Sequence, residues 1–307
     1  MYGNFIKGSF LSSDGENRAA YYIYEPKEPK AVIQLSHGMC EYVERYEPHA
    51  KYFCSCGFVF AGHDHLGHKG SVKSDADLGY TVSADVLTAD LARMTDILKE
   101  KYSGLPVILL GHSMGSFILR DYMQKHKGKI KAAVISGTAG PDNPTALGKL
   151  LASLICKIKG DHHRSHLLYS MSTGSYSKPF GKGAHKNCWL TRDEKEVERY
   201  TADKFSNFIF TANGYKNLFE LLSRVSKRSW AESIDKELPI LLISGTDDPV
   251  GSFGKGVRKV YERIRAANVK DVTLCLLDGA RHEPFNEIEP TKSEAYKTVT
   301  DWINERI

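Results

Sequence analysis

The chain has 307 residues, of which 41% are hydrophobic and 26% charged, with a formal net charge of +5. That balance supplies a sizeable core and excludes a disordered chain, and the length suits one α/β domain carrying an insertion. So small a positive charge does not call for a nucleic-acid partner.

In chain order, residues 21–24 read as an early antiparallel edge strand before Glu25-Pro26. Short apolar runs then end, one after another, in polar residues. Residues 31–35 (AVIQL) enter Ser-His-Gly, and 58–61 (FVFA) enter Gly-His-Asp-His. Residues 106–110 (PVILL) enter Gly-His-Ser, and 132–135 (AAVI) enter Ser-Gly. Later, 240–243 (ILLI) enter Ser-Gly-Thr-Asp-Asp, and 272–277 enter Asp-Gly-Ala-Arg-His. Continuous apolar strands alternating with helical stretches predict a mostly parallel sheet covered by helices on both faces. In such sheets, chemistry collects beyond the carboxyl ends of the strands, where these polar residues fall.

The alternation breaks between about 138 and 226, where helical patterns occupy 145–158, 191–204 and 214–226. The expected organisation is an α/β core of residues 1–137 and 227–307, with a helical cap inserted at 138–226. Within the cap, apolar residues at 147, 150, 151, 154, 155 and 158 form an amphipathic stripe. This stripe either packs on the core or walls an acyl-chain pocket, and it could touch a lipid surface transiently, with Lys149, Lys157 and Lys159 near the headgroups.

Gly111-His112-Ser113-Met114-Gly115 follows the strand PVILL and precedes a helical pattern, the context a nucleophile elbow requires. The sharp turn lifts Ser113 above the sheet, with Gly111, His112 and Gly115 supporting it, and the Met114 N–H opens the next helix beside any developing oxyanion. A serine needs a base, and the base needs an orienter. His282, the only histidine in the C-terminal part of the chain, follows the last strand. Asp247 and Asp248 follow the strand before it. Asp248, stiffened by Pro249, is favoured over its neighbour. Ser36-His37-Gly38-Met39 fits the place of the second oxyanion donor, the Met39 N–H, with His37, Gly38 and His65 as polar support.

A metal is not expected. His63-Asp64-His65-Leu66-Gly67-His68 has Gly67 where an H-x-H-x-D-H site needs a ligand, and His162, His163 and His166 lack a carboxylate or cysteine partner at suitable spacing.

These segments resemble the monoglyceride lipase and lysophospholipase branch of the α/β hydrolases, also grouped as serine aminopeptidase-like. The likeness is carried by His37-Gly38-Met39 with Glu41 and Arg45-Tyr46, and by Asp64-His65-Leu66-Gly67-His68. It extends to the elbow, to Gly245 through Asp248, to Gly279-Ala280-Arg281-His282-Glu283, and to cap residues Trp189 through Asp193 and Phe210 through Ala212. Lys69 departs from the usual pattern, which has glycine there.

The resemblance implies the α/β-hydrolase fold, a Ser113–Asp248–His282 triad and a Met39/Met114 oxyanion hole. It further implies cleavage of small lipid-like acyl esters, monoacylglycerol or lysophospholipid above all, without a cofactor. Two alternatives stand beside it. One is an aminopeptidase-like amide hydrolase using Asp193, Glu194, Glu196 and Glu198 to hold an ammonium group; the other is a non-catalytic binder of a small ligand. The six cysteines (Cys40, Cys54, Cys56, Cys156, Cys188, Cys275) lack paired spacing, and residues 1–22 lack a signal-peptide layout. With no run of roughly 18 apolar residues for a membrane span, the expected location is the cytoplasm.

Overall fold

The apolar runs become the middle of one sheet. In the computed structural model, which describes residues 2–142 and 145–307, the strand order is β1-β2-β4-β3-β5-β6-β7-β8. The strands are β1 (Asn4–Leu11), β2 (Arg18–Glu25), β3 (Ala31–Ser36), β4 (Phe58–His63), β5 (Val107–His112), β6 (Ala132–Ser136), β7 (Ile240–Gly245) and β8 (Val272–Leu277). From β4 to β8 the neighbours are parallel, while β2 runs antiparallel to both β1 and β4. The mostly parallel α/β sheet expected from the sequence is therefore the observed fold.

One expectation needs correcting: residues 21–24 belong to β2, which is not an edge strand because β1 pairs along its full length. β1 escapes a sequence reading because most of its residues are at least partly exposed, leaving little apolar alternation to detect.

The central strands bury both faces, which is why they read as unbroken apolar runs. On β7, for example, Leu241 and Ile243 join one core while Ile240 and Leu242 join the other. Helices α1 (Glu47–Ser55) and α10 (Thr291–Asn304) cover the first face; α2 (Ala84–Lys101), α3 (Met114–Lys125) and α9 (Lys255–Ala266) cover the second.

Between β6 and β7 the chain makes α4 (Thr145–Lys159), α5 (His166–Ser172), α6 (Glu194–Ala202), α7 (Ala212–Val225) and α8 (Arg228–Ser233). The short helices α5 and α8 were not anticipated. α7 packs against α2 and α3 and carries α4 on its other side. Arg120 of α3, fully buried, pins both ends of this excursion, donating to the carbonyls of Ala139 and Val225 while stacking on Trp230.

α4 uses its small residues for packing. Gly148 and Ala152 are buried, and a Cβ on Gly148 would lie 2.8 Å from the Phe219 ring. The larger side chains of its stripe turn outward: Leu147, Leu150, Leu154 and Ile158 are 61%, 69%, 51% and 70% exposed, while Leu151 and Ile155 are half-buried.

Candidate active site

Four strand ends deliver the site. β3 ends in Ser36 and leads to His37–Cys40; β5 ends in His112 and leads to Ser113; β7 leads to Asp248 and β8 to His282. Parallel register brings Ser36 beside Gly111 and His112 beside Ser136, so the loops cluster above one edge of the sheet.

Ser113 sits at φ 51°, ψ −122°, just before α3. For a side-chain-bearing residue such a conformation costs on the order of 1–3 kcal/mol and is held by its surroundings. Those surroundings are visible: the Ser113 N–H donates to the Ser136 carbonyl (3.0 Å), and the Ser116 hydroxyl donates to the Ser113 carbonyl (2.6 Å). The turn also explains its glycines. A Cβ on Gly115 would stand 1.9 Å from the Ser36 carbonyl oxygen, and one on Gly111 would stand 2.7 Å from the Gly115 carbonyl oxygen. Gly115→Ala is expected to destabilise the protein by at least about 1–3 kcal/mol through overpacking, read as a lowered thermal midpoint.

His282 is buried, and its Nδ1 lies 3.1 Å from both oxygens of Asp248. Asp248 is also buried. It accepts from the Ser244 hydroxyl (3.2 Å) and the Val250 N–H (2.8 Å), which fix its plane. Asp247, next door, is exposed. Burial alone pushes the His282 imidazole down, but the Asp248 carboxylate against it, helped by Glu283 and Glu41, reverses this and holds the ring above its ordinary 6.5. Its Nε2 is buried without a partner among the described residues. Ser113 and His282 line the same cavity. Trp189, from the insertion, packs its ring at a tilt against the His282 ring, centroids 5.0 Å apart, and its carbonyl accepts the His282 N–H (3.3 Å).

The Met39 loop is set by its neighbours. The His65 N–H donates to His37 Nε2 (3.0 Å), so the other ring nitrogen carries the proton and donates to the Gly38 carbonyl (2.8 Å). That carbonyl and the Met39 N–H share one peptide plane, so His37 sets the direction of the Met39 N–H. The His65 ring in turn meets the Ser36 hydroxyl at 3.2 Å. Met114 is the first residue of α3, where N–H groups have no intrahelical acceptor. His112 is buried and neutral: burial and the neighbouring His282 both lower it.

Met39, His112, Ser113, Met114 and His282 all line one cavity of about 400 Å³. Its walls are chiefly aromatic and aliphatic: Phe117 from α3, Tyr169 from α5, Tyr176, Trp189 and Phe208, and Leu218, Phe219 and Leu222 from α7. Here the expectation for residues 146–158 must be corrected, because none of them lines the cavity; of α4, only Thr145 does. α4 lies behind α7, whose side chains form the wall instead.

The carboxylates considered for an ammonium site also lie elsewhere. Asp193 caps α6, Glu194 and Glu198 are exposed, and Glu196 pairs with Arg199. Lys69, the departure from pattern, extends over the Tyr42 ring and pairs with Glu44 outside the cavity. In the sequence Glu283 and Trp189 belong only to segments that carry a family likeness; their contacts with the site arise from the tertiary fold.

Residues 27–289 match the family described as serine aminopeptidase, S33. The chain belongs to this hydrolase family. It is 27% identical to human monoglyceride lipase over 96% of this chain and 89% of that one. It is also 27% identical to the monoacylglycerol lipase of Mycolicibacterium smegmatis, covering 94% of each chain. Among solved structures, a thermostable carboxyl esterase from Bacillus coagulans superposes with a TM-score of 0.90, at 26% identity and 98% coverage of both chains. The monoglyceride lipase of Saccharomyces cerevisiae shares the fold, with a TM-score of 0.79 at 18% identity, 100% of this chain and 96% of that one being covered.

Proposed function

We propose that the protein is a serine carboxylic ester hydrolase acting on lipid-like acyl esters, monoacylglycerol first and lysophospholipid second. The observation that carries this reading is Ser113, on its positive-φ turn, lining an apolar cavity together with a histidine held by a buried aspartate. The relatives' names supply the head-group preference, and the cavity supports the acyl part.

In the proposed mechanism, His282 Nε2 takes the proton of Ser113 as its oxygen attacks the ester carbonyl. Asp248 holds the imidazolium through Nδ1–H. The Met39 and Met114 N–H groups receive the oxyanion, each worth on the order of 3 kcal/mol. His282 then protonates the departing alcohol. Water repeats the sequence on the acyl-enzyme, releasing the acid and restoring Ser113. The chemistry needs no cofactor.

A panel of p-nitrophenyl esters of increasing length, beside monoacylglycerol, lysophospholipid and an aminoacyl amide, tests the substrate class. Each methylene buried in the cavity contributes about 0.8 kcal/mol, so kcat/KM should rise about fourfold per methylene until the cavity fills. A flat series, or turnover of the amide above the esters, would overturn the assignment.

The outward face of α4 belongs to the same reading. Leu147, Leu150, Leu154 and Ile158, continued by exposed Leu167 and Met171 of α5, form an apolar surface, with Lys157 and Lys159 in the last turn of α4. Such a face, flanked by cations, fits an anionic lipid surface, from which substrate would reach the cavity; Met171 belongs to both the face and the cavity lining. Leu150→Glu with Leu154→Glu is expected to cut co-sedimentation with phosphatidylglycerol-containing vesicles about tenfold or more, since each leucine inserted is worth about 1.5–3 kcal/mol. Hydrolysis of a soluble short-chain ester should stay unchanged; unaltered vesicle binding would refute the docking face. No helix among the described residues is long and apolar enough to cross a membrane. All six cysteines are free thiols, which supports a cytoplasmic setting.

A further inference from the structure

Three charged side chains lie between the loops of the site without belonging to the proposed reaction. Arg45 is on the short 3₁₀ segment Val43–Tyr46, its side chain 13% exposed. Its Nη1 donates to Glu41 Oε2 (2.8 Å) and to Glu283 Oε1 (3.0 Å), and its Nη2 donates to Glu283 Oε2 (2.8 Å). Its guanidinium lies 5.2 Å from the centre of the Tyr200 ring. One cation thus holds two buried carboxylates that come from opposite sides of the site.

Each carboxylate grips a different loop. Glu41 Oε1 accepts the Gly38 N–H (2.7 Å) and the Tyr46 hydroxyl (3.0 Å), and it fills the space beside Gly38, where a Cβ would stand 2.2 Å from it. Gly38 immediately precedes Met39. Glu283 immediately follows His282, its N–H donates to the Leu190 carbonyl (2.8 Å), and Asn286 donates to its Oε2 (2.9 Å). Glu41 and Glu283 line the cavity; Arg45 does not.

We propose that Arg45 is a positioning residue: a buried strap that fixes the loop carrying the Met39 N–H relative to the loop carrying His282. The inference rests on the serine hydrolase reading above, since it gives those two groups their work.

The physical reason is the imbalance that Arg45 resolves. Burial pushes both carboxyls toward their neutral forms. For Glu283 the paired guanidinium prevails and holds it down, at about 2; for Glu41 burial and the Glu283 charge pull upward against Arg45. Without the guanidinium, two buried carboxylates would face each other uncompensated, and they must either take up a proton or separate. A protonated Glu41 is a poorer acceptor for the Gly38 N–H, which loosens the peptide before Met39. A displaced Glu283 moves the residue bonded to His282. Both responses disturb groups that act in the transition state, so the loss should fall on kcat rather than on KM.

Arg45→Met, Arg45→Lys and Glu283→Gln in the full chain test this, with kcat and KM measured on p-nitrophenyl butyrate below each variant's melting midpoint and Ser113→Ala assayed in parallel. Arg45→Met is expected to lose about 100-fold in kcat, the scale of one lost oxyanion donor, with KM within about threefold. Arg45→Lys should recover about tenfold of that loss, because an ammonium restores the charge without the planar fork. Glu283→Gln should lose about tenfold in kcat, and adding it to Arg45→Lys should cost less than the product of the two, since both break one link.

A folded Arg45→Met with kcat within about threefold of the parent, or with its loss in KM, overturns the strap. Should Arg45→Met fail to fold, Arg45→Lys and Glu283→Gln decide in the same way. Turnover surviving in Ser113→Ala would bring down the serine reading itself, whereas an inactive Ser113→Ala beside an unimpaired Arg45→Met brings down only the strap.

Discussion

Ser113→Ala should abolish ester turnover and labelling by a fluorophosphonate probe, a loss of about 10⁴-fold or more in kcat. The effect is large because in the proposed mechanism the Ser113 oxygen is the atom that bonds to the acyl group, and no neighbouring side chain can replace it on the same turn. The fold should survive: the contacts that hold the turn are made by the Ser113 backbone and by Ser116, Ser136 and the flanking glycines, not by the Ser113 hydroxyl. An unchanged thermal midpoint with lost labelling is therefore the expected pair of results. Retained labelling would remove Ser113 from the reaction.

Asp248→Asn should be nearly as damaging, by about 10⁴-fold in kcat, because an amide in that place favours the wrong imidazole tautomer. Asp247→Asn should change activity little, since Asp247 is exposed and Asp248 alone of the two bonds the ring. The reverse order would transfer the role to Asp247.

The pH dependence follows from the same contact. In the proposed mechanism His282 is a general base, which works only when neutral, and it is held above 6.5 by Asp248 against the opposing pull of burial. The acid limb of kcat/KM should therefore have its midpoint above 6.5 in the parent protein, activity falling as pH drops through it. In Asp248→Asn the carboxylate is gone and burial remains, so the limb of the residual activity should move to lower pH. A limb that does not move would mean another group sets it.

Much of this was legible before the fold was seen. Five residues of elbow motif, a strand before and a helix after, point to Ser113, and local sterics explain why glycine stands at 111 and 115. The order of strand-end loops singles out His282 and narrows the acid to two adjacent aspartates. Between these two the choice depends on which side chain turns inward at Gly245. There the backbone passes so close to the His282 loop that a Cβ would stand 1.9 Å from the Ala280 carbonyl oxygen. That proximity spans loops more than thirty residues apart, and no local pattern records it.

The amphipathic helix of the insertion marks the same boundary from the other side. Periodicity identifies the stripe at 147, 150, 151, 154, 155 and 158, but a stripe only says that apolar side chains share a face, not what the face meets. The outcome is decided by Gly148 and Ala152, whose small side chains let α4 close on α7, half-burying Leu151 and Ile155 and leaving Leu147, Leu150, Leu154 and Ile158 outside. The Arg45 strap is likewise a product of the fold, since its two carboxylates lie 242 positions apart in the chain, Glu41 and Glu283.

By itself, then, the sequence determined what depends on neighbours in the chain: strand type, the strained turn, its glycines, and the polar residues that end each strand. Only the tertiary structure decided what depends on distance: which aspartate holds His282, which helix walls the cavity, and which cation binds the two loops together. Local sterics and periodicity act over a few residues, whereas packing and charge pairing are settled when segments far apart in the chain compete for the same buried space.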